Sequence, residues 1–332
     1  MEWIIMPSQD SRIYKKYRII NKVGSGGFSD VFKVETINEP HQVYALKYLK
    51  FNDNTDNTVV INRFKQEIAL YKSINSIRIA KYIESYVGDD EQYLVMEFVE
   101  GESLHSQIRK GGKLISKTAV NYAMQIAEAL GELHSIGIIH RDIKSNNIMI
   151  TRDRNVKVID FGLALGQNSQ RFTQDLKVIG SVYYLAPELC TANNKPSIQT
   201  DIYALGILLY EMLTGTYPLK GSDALETMKK QKSLSIPDIT KIIEIPQALA
   251  NVIYKATNKD PSKRYKTMWE MREDLSTSTK PERYYEKPYN AKRDRAKKSL
   301  QEVINSKQFI YSAIAIILVV LIVGIVLIVV FV

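Results

Sequence analysis

A single cysteine, Cys190, stands among 332 residues, so no disulfide can form within the chain, and such usage fits a reducing compartment. The first ten residues lack a basic stretch leading into a long apolar run, which excludes the usual form of secretory signal. No internal repeat is present, which excludes a repeat architecture. Charge is missing altogether from residues 309–332, where Tyr311 and Ser312 are the only polar side chains. As a helix, these 24 residues would reach about 36 Å, beyond the ~30 Å hydrocarbon core of a bilayer. Core helices are shorter and amphipathic, so the segment reads as one transmembrane helix.

What is present is unevenly placed. The net charge is +9, and residues 280–307 hold nine basic against four acidic side chains, directly before the apolar segment. The positive-inside rule then puts residues 1–308 on the cytoplasmic side of the cell membrane, with the C-terminus at or beyond the outer face. The basic stretch near residues 280–307 suits anionic lipid, and it also reads as a solvated linker. Nucleic acid is not an expected partner, because the stretch abuts the membrane segment. The chain reads either as tail-anchored or as ending where an extracellular domain would begin.

Residues 17–100 read mostly as strands with one helix. Residues 30–35, 43–49 and 93–98 are β-branched and aromatic runs bounded by turn residues. Residues 59–74 have helical spacing, with Ile61, Phe64, Ile68 and Tyr71 on one face. Beyond Gly101 the pattern turns helical. Ser116 reads as the N-cap of a helix through His134, and residues 201–213 form a strongly apolar helix. Residues 276–289, polar and carrying Pro281 and Pro288, read as a linker.

Three strings carry the chemistry. His140-Arg141-Asp142-Ile143-Lys144-Ser145-Asn146-Asn147 comes first. Asp160-Phe161-Gly162 begins 13 residues after Asn147, and Ala186-Pro187-Glu188 follows. A lone Asp-Phe-Gly is mostly a turn. Three such strings in this order and spacing resemble the catalytic loop, metal loop and activation-segment end of a eukaryotic-type (Hanks-type) protein kinase; taken with Lys144, the Gly26-Gly27 turn and the apolar segment, the chain resembles the bacterial membrane-anchored Ser/Thr subgroup. Phosphoryl transfer needs what they would supply: a group orienting the attacking hydroxyl, oxygen ligands for magnesium, and a seat for the substrate.

The resemblance spans about residues 14–275 and extends upstream. Val23-Gly24-Ser25-Gly26-Gly27-Phe28-Ser29-Asp30-Val31 resembles the glycine-rich turn over the ATP phosphates, with Ser29 where the family has its third glycine. Lys47 in Tyr44-Ala45-Leu46-Lys47 resembles the phosphate-binding lysine, and Glu67 its ion-pair partner. Met96 would stand at the gatekeeper position of the hinge, with backbone groups near Glu97 and Val99 holding adenine. Val31, Ala45 and Met149 would sandwich the ring, although plain core packing would satisfy these side chains as well.

The resemblance also assigns roles in the C-terminal half. Asp142 would be the catalytic base and Lys144 would stabilise charge on the transferring group. Asn147 and Asp160 would hold Mg2+, with Mn2+ as a substitute. The Ser145-Asn146 pair departs from the common Pro-Glu, a change expected to be tolerated because neither side chain contacts phosphate in the family. Arg141 suggests control by activation-loop phosphorylation, with Thr173 the first candidate phosphosite and Ser169 the second. Ser181 would contact substrate and Asp142. Glu188 and Arg264 would form a structural ion pair, and Asp201 would hold the catalytic-loop backbone.

The resemblance therefore implies an α+β bilobal protein kinase fold. Residues 14–100 would form the β-rich N-lobe and hinge, 101–275 the α-helical C-lobe, 276–308 a basic juxtamembrane linker, and 309–332 the transmembrane helix. The implied activity is transfer of the ATP γ-phosphate to Ser or Thr of protein substrates (EC 2.7.11.1). Activation-loop autophosphorylation would occur between neighbours, as in a homodimer. The main rival is a membrane-tethered pseudokinase scaffold. Lys47, Glu67, Asp142, Asn147 and Asp160 argue against it, and the Ala186-Pro187-Glu188 segment argues against a small-molecule kinase.

Overall fold

The computed structural model describes residues 7–50, 57–160, 181–191 and 195–290. The N-terminal part is an antiparallel sheet of β1 (Tyr17–Ser25), β2 (Ser29–Thr36), β3 (Val43–Leu49), β4 (Tyr82–Val87) and β5 (Gln92–Glu97), in the order β1-β2-β3-β5-β4. Helix α1 (Asn57–Ser73) lies between β3 and β4 in the chain. Side chains alternate across a strand, so each face of the sheet has its own job. Phe32, Val34, Leu46, Tyr93 and Val95 bury one face together with Ile13 and Tyr17. On the other face, Val31 pairs directly with Lys47 across β2–β3, and Ala45 with Met96 across β3–β5. Direct partners share a face. The residues expected around a nucleotide thus line one surface of the sheet.

Helix α1 buries Phe64, Glu67, Ile68 and Tyr71. This is the i, i+3, i+4, i+7 stripe of an amphipathic helix, with one carboxylate set into it.

The C-terminal part is mainly helical: α2 (Leu104–Gly111), α3 (Ser116–Ser135), α4 (Ile198–Thr214), α5 (Ala224–Ser233), α6 (Gln247–Ala256) and α7 (Met268–Thr277). A small sheet of β6 (Gly101–Ser103), β7 (Ile148–Thr151) and β8 (Val156–Val158) flanks the catalytic loop. Helix α4 is buried from Thr200 to Leu213 on every side, as befits the central helix of a helical core. It stops at Gly215, whose φ of 74° and whose approach to Gly112 O leave no room for a Cβ.

Two expectations change. Helix α3 begins at Ser116, but its cap is Ile115, whose carbonyl accepts the Ala119 N–H at 3.0 Å. Ser116 is therefore the first helical residue and not the N-cap. The stretch read as a linker is also more than a spacer up to Tyr289. Asn251 on α6 donates to Lys287 O at 2.8 Å and accepts the Tyr289 N–H at 2.7 Å. Gln247 N–H donates to Tyr284 O at 2.8 Å, and Arg283 reaches Asp274 at 2.9 Å. One side-chain amide thus grips an extended backbone by both its donor and its acceptor, which composition cannot reveal.

Among the described residues no helix is long and apolar enough to cross a membrane. The expected transmembrane segment, residues 309–332, lies outside the described residues, as do the basic residues from 291 onward, Ser169, Thr173, and Phe161-Gly162.

Candidate active site

The catalytic loop is fixed from beneath by Asp201. This fully buried carboxylate, in the first turn of α4, accepts the N–H of His140 at 2.9 Å and of Arg141 at 2.8 Å, and lies 2.8 Å from His134 Nε2. Arg141 has φ of 68°, a left-handed conformation that a non-glycine residue adopts only when its surroundings impose it. The paired acceptor of Asp201 supplies that constraint. Asp142 N–H donates to His140 Nδ1 at 3.3 Å, so that nitrogen carries no proton. Burial lowers the His140 pKa, in keeping with this neutral form.

Asp142 is oriented by three donors. Lys144 Nζ lies 2.7 Å from its Oδ2, Asn147 Nδ2 3.0 Å from the same oxygen, and Ser181 Oγ 2.9 Å from Oδ1. Lys144 also donates to Ser181 Oγ at 2.9 Å, which closes a triangle. The structure thus brings together Asp142, Lys144, Asn147 and Ser181 as the motifs led one to expect. Asn147 uses its amide nitrogen on Asp142, which leaves the side-chain oxygen as its part suited to a cation.

The second cluster joins the sheet to the loop after β8. Lys47 Nζ sits 2.7 Å from Glu67 Oε1 and 2.8 Å from Asp160 Oδ1. Burial alone would lower the Lys47 pKa; Asp160 and then Glu67 outweigh it and hold the ammonium charged, well above the usual lysine value. Asp160 is itself left-handed, at φ 68°, and its N–H donates to the hydroxyl of buried Tyr71 at 3.1 Å. Glu67 and Tyr71 are one turn apart on α1, so a single helix face orients both Lys47 and Asp160. In the sequence Tyr71 stands out only as an apolar face residue. Its spacing of four from Glu67 was the available signal.

The β1–β2 turn is closed by its own side chains. Gly26 N–H donates to Ser29 O at 2.7 Å, and Ser25 Oγ donates to Asp30 Oδ1 at 2.6 Å. Asp30 also takes Lys22 and Lys50, each at 3.0 Å. Burial would raise the Asp30 pKa; Ser25 and the two lysines overcome it and bring it below the usual carboxylate range. The Asp30 carboxylate therefore holds the turn together. Neither Gly24 nor Gly27 has positive φ, and an added Cβ would meet nothing closer than 3.7 Å at Gly24 and nothing within 4 Å at Gly27. The protein's own packing does not demand glycine there, and the space beside Gly27 is open. Val23 and Phe28 are 47% and 37% exposed on the same turn.

At the hinge, Ala45, Met96 and Val99 are buried, and Met149 is partly so. Glu97 N–H is taken by Lys81 O at 2.8 Å and its carboxylate by Lys157 at 2.7 Å. Further out, Arg264 and Glu188 meet through two bonds of 2.8 and 2.7 Å, with the arginine side chain fully buried.

The protein kinase domain profile matches residues 17–275. The chain belongs to the protein kinase family. It is 36% identical over 293 residues to the probable serine/threonine-protein kinase PknB of Lactococcus lactis, covering 87% of this chain and 46% of that protein. With the serine/threonine-protein kinase PrkC of Bacillus subtilis it shares 37% identity over 284 residues, 85% of this chain and 43% of the relative. With PknB of Mycobacterium tuberculosis it shares 32% over 274 residues, 80% and 43% of the two chains. The chain thus spans less than half the length of these relatives. The bilobal kinase fold is present, with its β-sheet N-lobe and helical C-lobe.

The oxygen donors of this kinase site suit magnesium. Among the described residues no cluster of three or more His, Cys, Asp or Glu could cage a metal. Asp160 and Asn147 offer only a partial shell, which is how magnesium is usually taken when nucleotide phosphates complete it.

Proposed function

We propose that this chain is a membrane-anchored Ser/Thr protein kinase that transfers the γ-phosphoryl group of ATP to protein hydroxyls and phosphorylates its own activation loop. The observation that carries the reading is the Asp142–Lys144–Ser181 triangle, joined through Asn147, which bonds Asp142 and accepts the Ile159 N–H at 2.9 Å, to the loop that carries Asp160 of the Lys47–Glu67–Asp160 chain. The names of the curated relatives support its Ser/Thr kinase part.

In this reading the turn at residues 23–31 covers the phosphates, Lys47 holds the α and β phosphates, and Val31, Ala45, Met96, Val99 and Met149 enclose adenine. Asn147 and Asp160 would hold Mg2+, which when bound offsets charge on the phosphates. Asp142 accepts the proton of the incoming Ser or Thr hydroxyl. The substrate's hydroxyl oxygen bonds to the γ-phosphorus while the bond from that phosphorus to the β–γ bridging oxygen breaks and ADP leaves. Lys144 offsets charge on the moving group, and Ser181 keeps Lys144 and Asp142 in register. Thr173, then Ser169, are the proposed autophosphorylation sites, with the new phosphate pairing with Arg141. The apolar segment 309–332 anchors the chain, residues 280–307 touch anionic lipid, and crowding in the membrane promotes trans-autophosphorylation.

The test uses the full chain in vesicles containing anionic lipid, with ATP, Mg2+ and casein. Phosphoserine and phosphothreonine without phosphotyrosine, a modified Thr173 peptide, and flotation with the vesicles are expected. Phosphotyrosine as the main product, or an unmodified Thr173 in active protein, contradicts the corresponding part. An autophosphorylation rate independent of surface density contradicts the trans step.

A further inference from the structure

Ser145 stands where the family's common pattern has proline. It is fully buried and opens the short 3-10 turn Ser145–Asn147, immediately after Lys144. A proline has neither a backbone N–H nor a hydroxyl, and here both are used. The Ser145 N–H donates to Tyr184 Oη at 3.3 Å. The Ser145 Oγ lies 2.9 Å from the same oxygen and donates to Glu211 Oε1 at 3.1 Å, with His105 Nδ1 at 3.3 Å. Tyr184 in turn donates to Glu211 Oε2 at 2.5 Å.

Glu211 comes from α4 and is 3% exposed. Burial raises its pKa, and the hydroxyls of Tyr184, Ser145 and Tyr217 gather on its carboxylate. A buried polar network of this kind specifies geometry only when its members are all present.

The network has a second side. Tyr184 ends the 3-10 turn Ser181–Tyr184, and Ser181 at its start is the residue bonded to Asp142 and Lys144. Tyr183 stacks on Tyr217 with ring centres 4.3 Å apart and planes at 14°, and Tyr184 meets Tyr217 edge-on at 5.6 Å. The same turn is therefore tied to the catalytic loop twice, in front through Ser181 and behind through Tyr184. Adjacent residues of the loop, Lys144 and Ser145, make the two ties.

We infer that Ser145 is a positioning residue that locks the catalytic loop to the Ser181–Tyr184 turn through Tyr184 and Glu211, so that Lys144 and Asp142 hold their places only when that turn is seated. The inference rests on the kinase reading above. Its consequence is confined to one step. Lys47, which holds the nucleotide phosphates in that reading, is bonded to Glu67 and Asp160 on the sheet side, so the KM for ATP is expected to hold while the placement of Lys144 and Asp142 is lost.

The test is steady-state kinetics of the full chain, wild type against Ser145→Ala, Tyr184→Phe and the double variant, with melting temperatures in parallel. Each single variant is expected to lower kcat for a protein substrate about tenfold with KM for ATP unchanged. The double variant is expected to be no more than about twofold worse than either, because the residues act as one unit. A Ser145→Ala variant with wild-type kcat and a lowered melting temperature overturns the inference, since the hydroxyl would then only stabilise the fold. Fully multiplicative losses overturn it as well. Should Ser145→Ala fail to fold, Tyr184→Phe decides alone: a wild-type kcat overturns the inference, and a tenfold loss at constant KM for ATP upholds it. A wild-type chain without phosphotransfer overturns the kinase reading itself, an outcome distinct from an active wild type with an insensitive variant.

Discussion

Lys47 and Glu67 meet at 2.7 Å with both side chains buried, so the Glu67 carboxylate depends on Lys47 for its charge, while Lys47 is also held by Asp160. Removing Lys47 leaves Glu67 uncompensated in a low-dielectric site, whereas removing Glu67 leaves Lys47 with Asp160 at 2.8 Å. Lys47→Met is expected to lower phosphotransfer by about 10²–10³-fold, because a charge on the phosphates loses its fixed counterpart. It should also destabilise the fold by about 3 kcal/mol, through the orphaned Glu67. Adding Glu67→Gln should recover most of the stability and none of the activity. Denaturant unfolding of the two variants separates the effects. A double variant less stable than Lys47→Met contradicts the account.

Asp201 holds a left-handed Arg141 in place through two backbone N–H groups. Asp201→Ala leaves both donors buried and unpaired, at about 1–3 kcal/mol each, and frees the loop to relax. Lower melting temperature and a reduced kcat are expected together. Asp201→Asn keeps one acceptor oxygen and should be milder on both counts. Equal effects of the two substitutions would show that acceptor number is irrelevant.

Lys259 gives the clearest pH dependence. It is partly buried beside Arg264, and burial first, then Arg264, bring its pKa down from 10.5 to about 8. Between these values the unfolded chain binds the extra proton and the folded one does not, so stability rises with pH across that window. Below pH 8 both states are charged, and the penalty is fully present. Melting temperature of the wild type relative to Lys259→Met should therefore climb between pH 8 and pH 10. Parallel profiles would contradict this.

The sequence made the front of the site legible and left the back hidden. Lys47, Asp142, Asn147 and Asp160 stand in motifs whose order and spacing carry their chemistry, and Asp201 and Glu188 with Arg264 were also placed correctly. Tyr71 was missed because its apolar helix position concealed a hydroxyl aimed at Asp160 N–H. The Ser145–Tyr184–Glu211 network was missed because its members are 27 to 66 residues apart and share no local pattern. Strand β4 was not anticipated, since every residue in it is half-buried and no alternation marks it. Strands β6 to β8 are three or four residues long, too short for periodicity to register.

The central claim is that Asp142 serves phosphoryl transfer in a cleft already assembled by the fold. The most direct test is intact mass of the full chain after incubation with ATP and Mg2+, beside Asp142→Asn. Mass gains in steps of one phosphate in the wild type, with none in the variant, are the predicted result. No gain in the wild type while ATP still binds would contradict the claim and favour a nucleotide-binding scaffold.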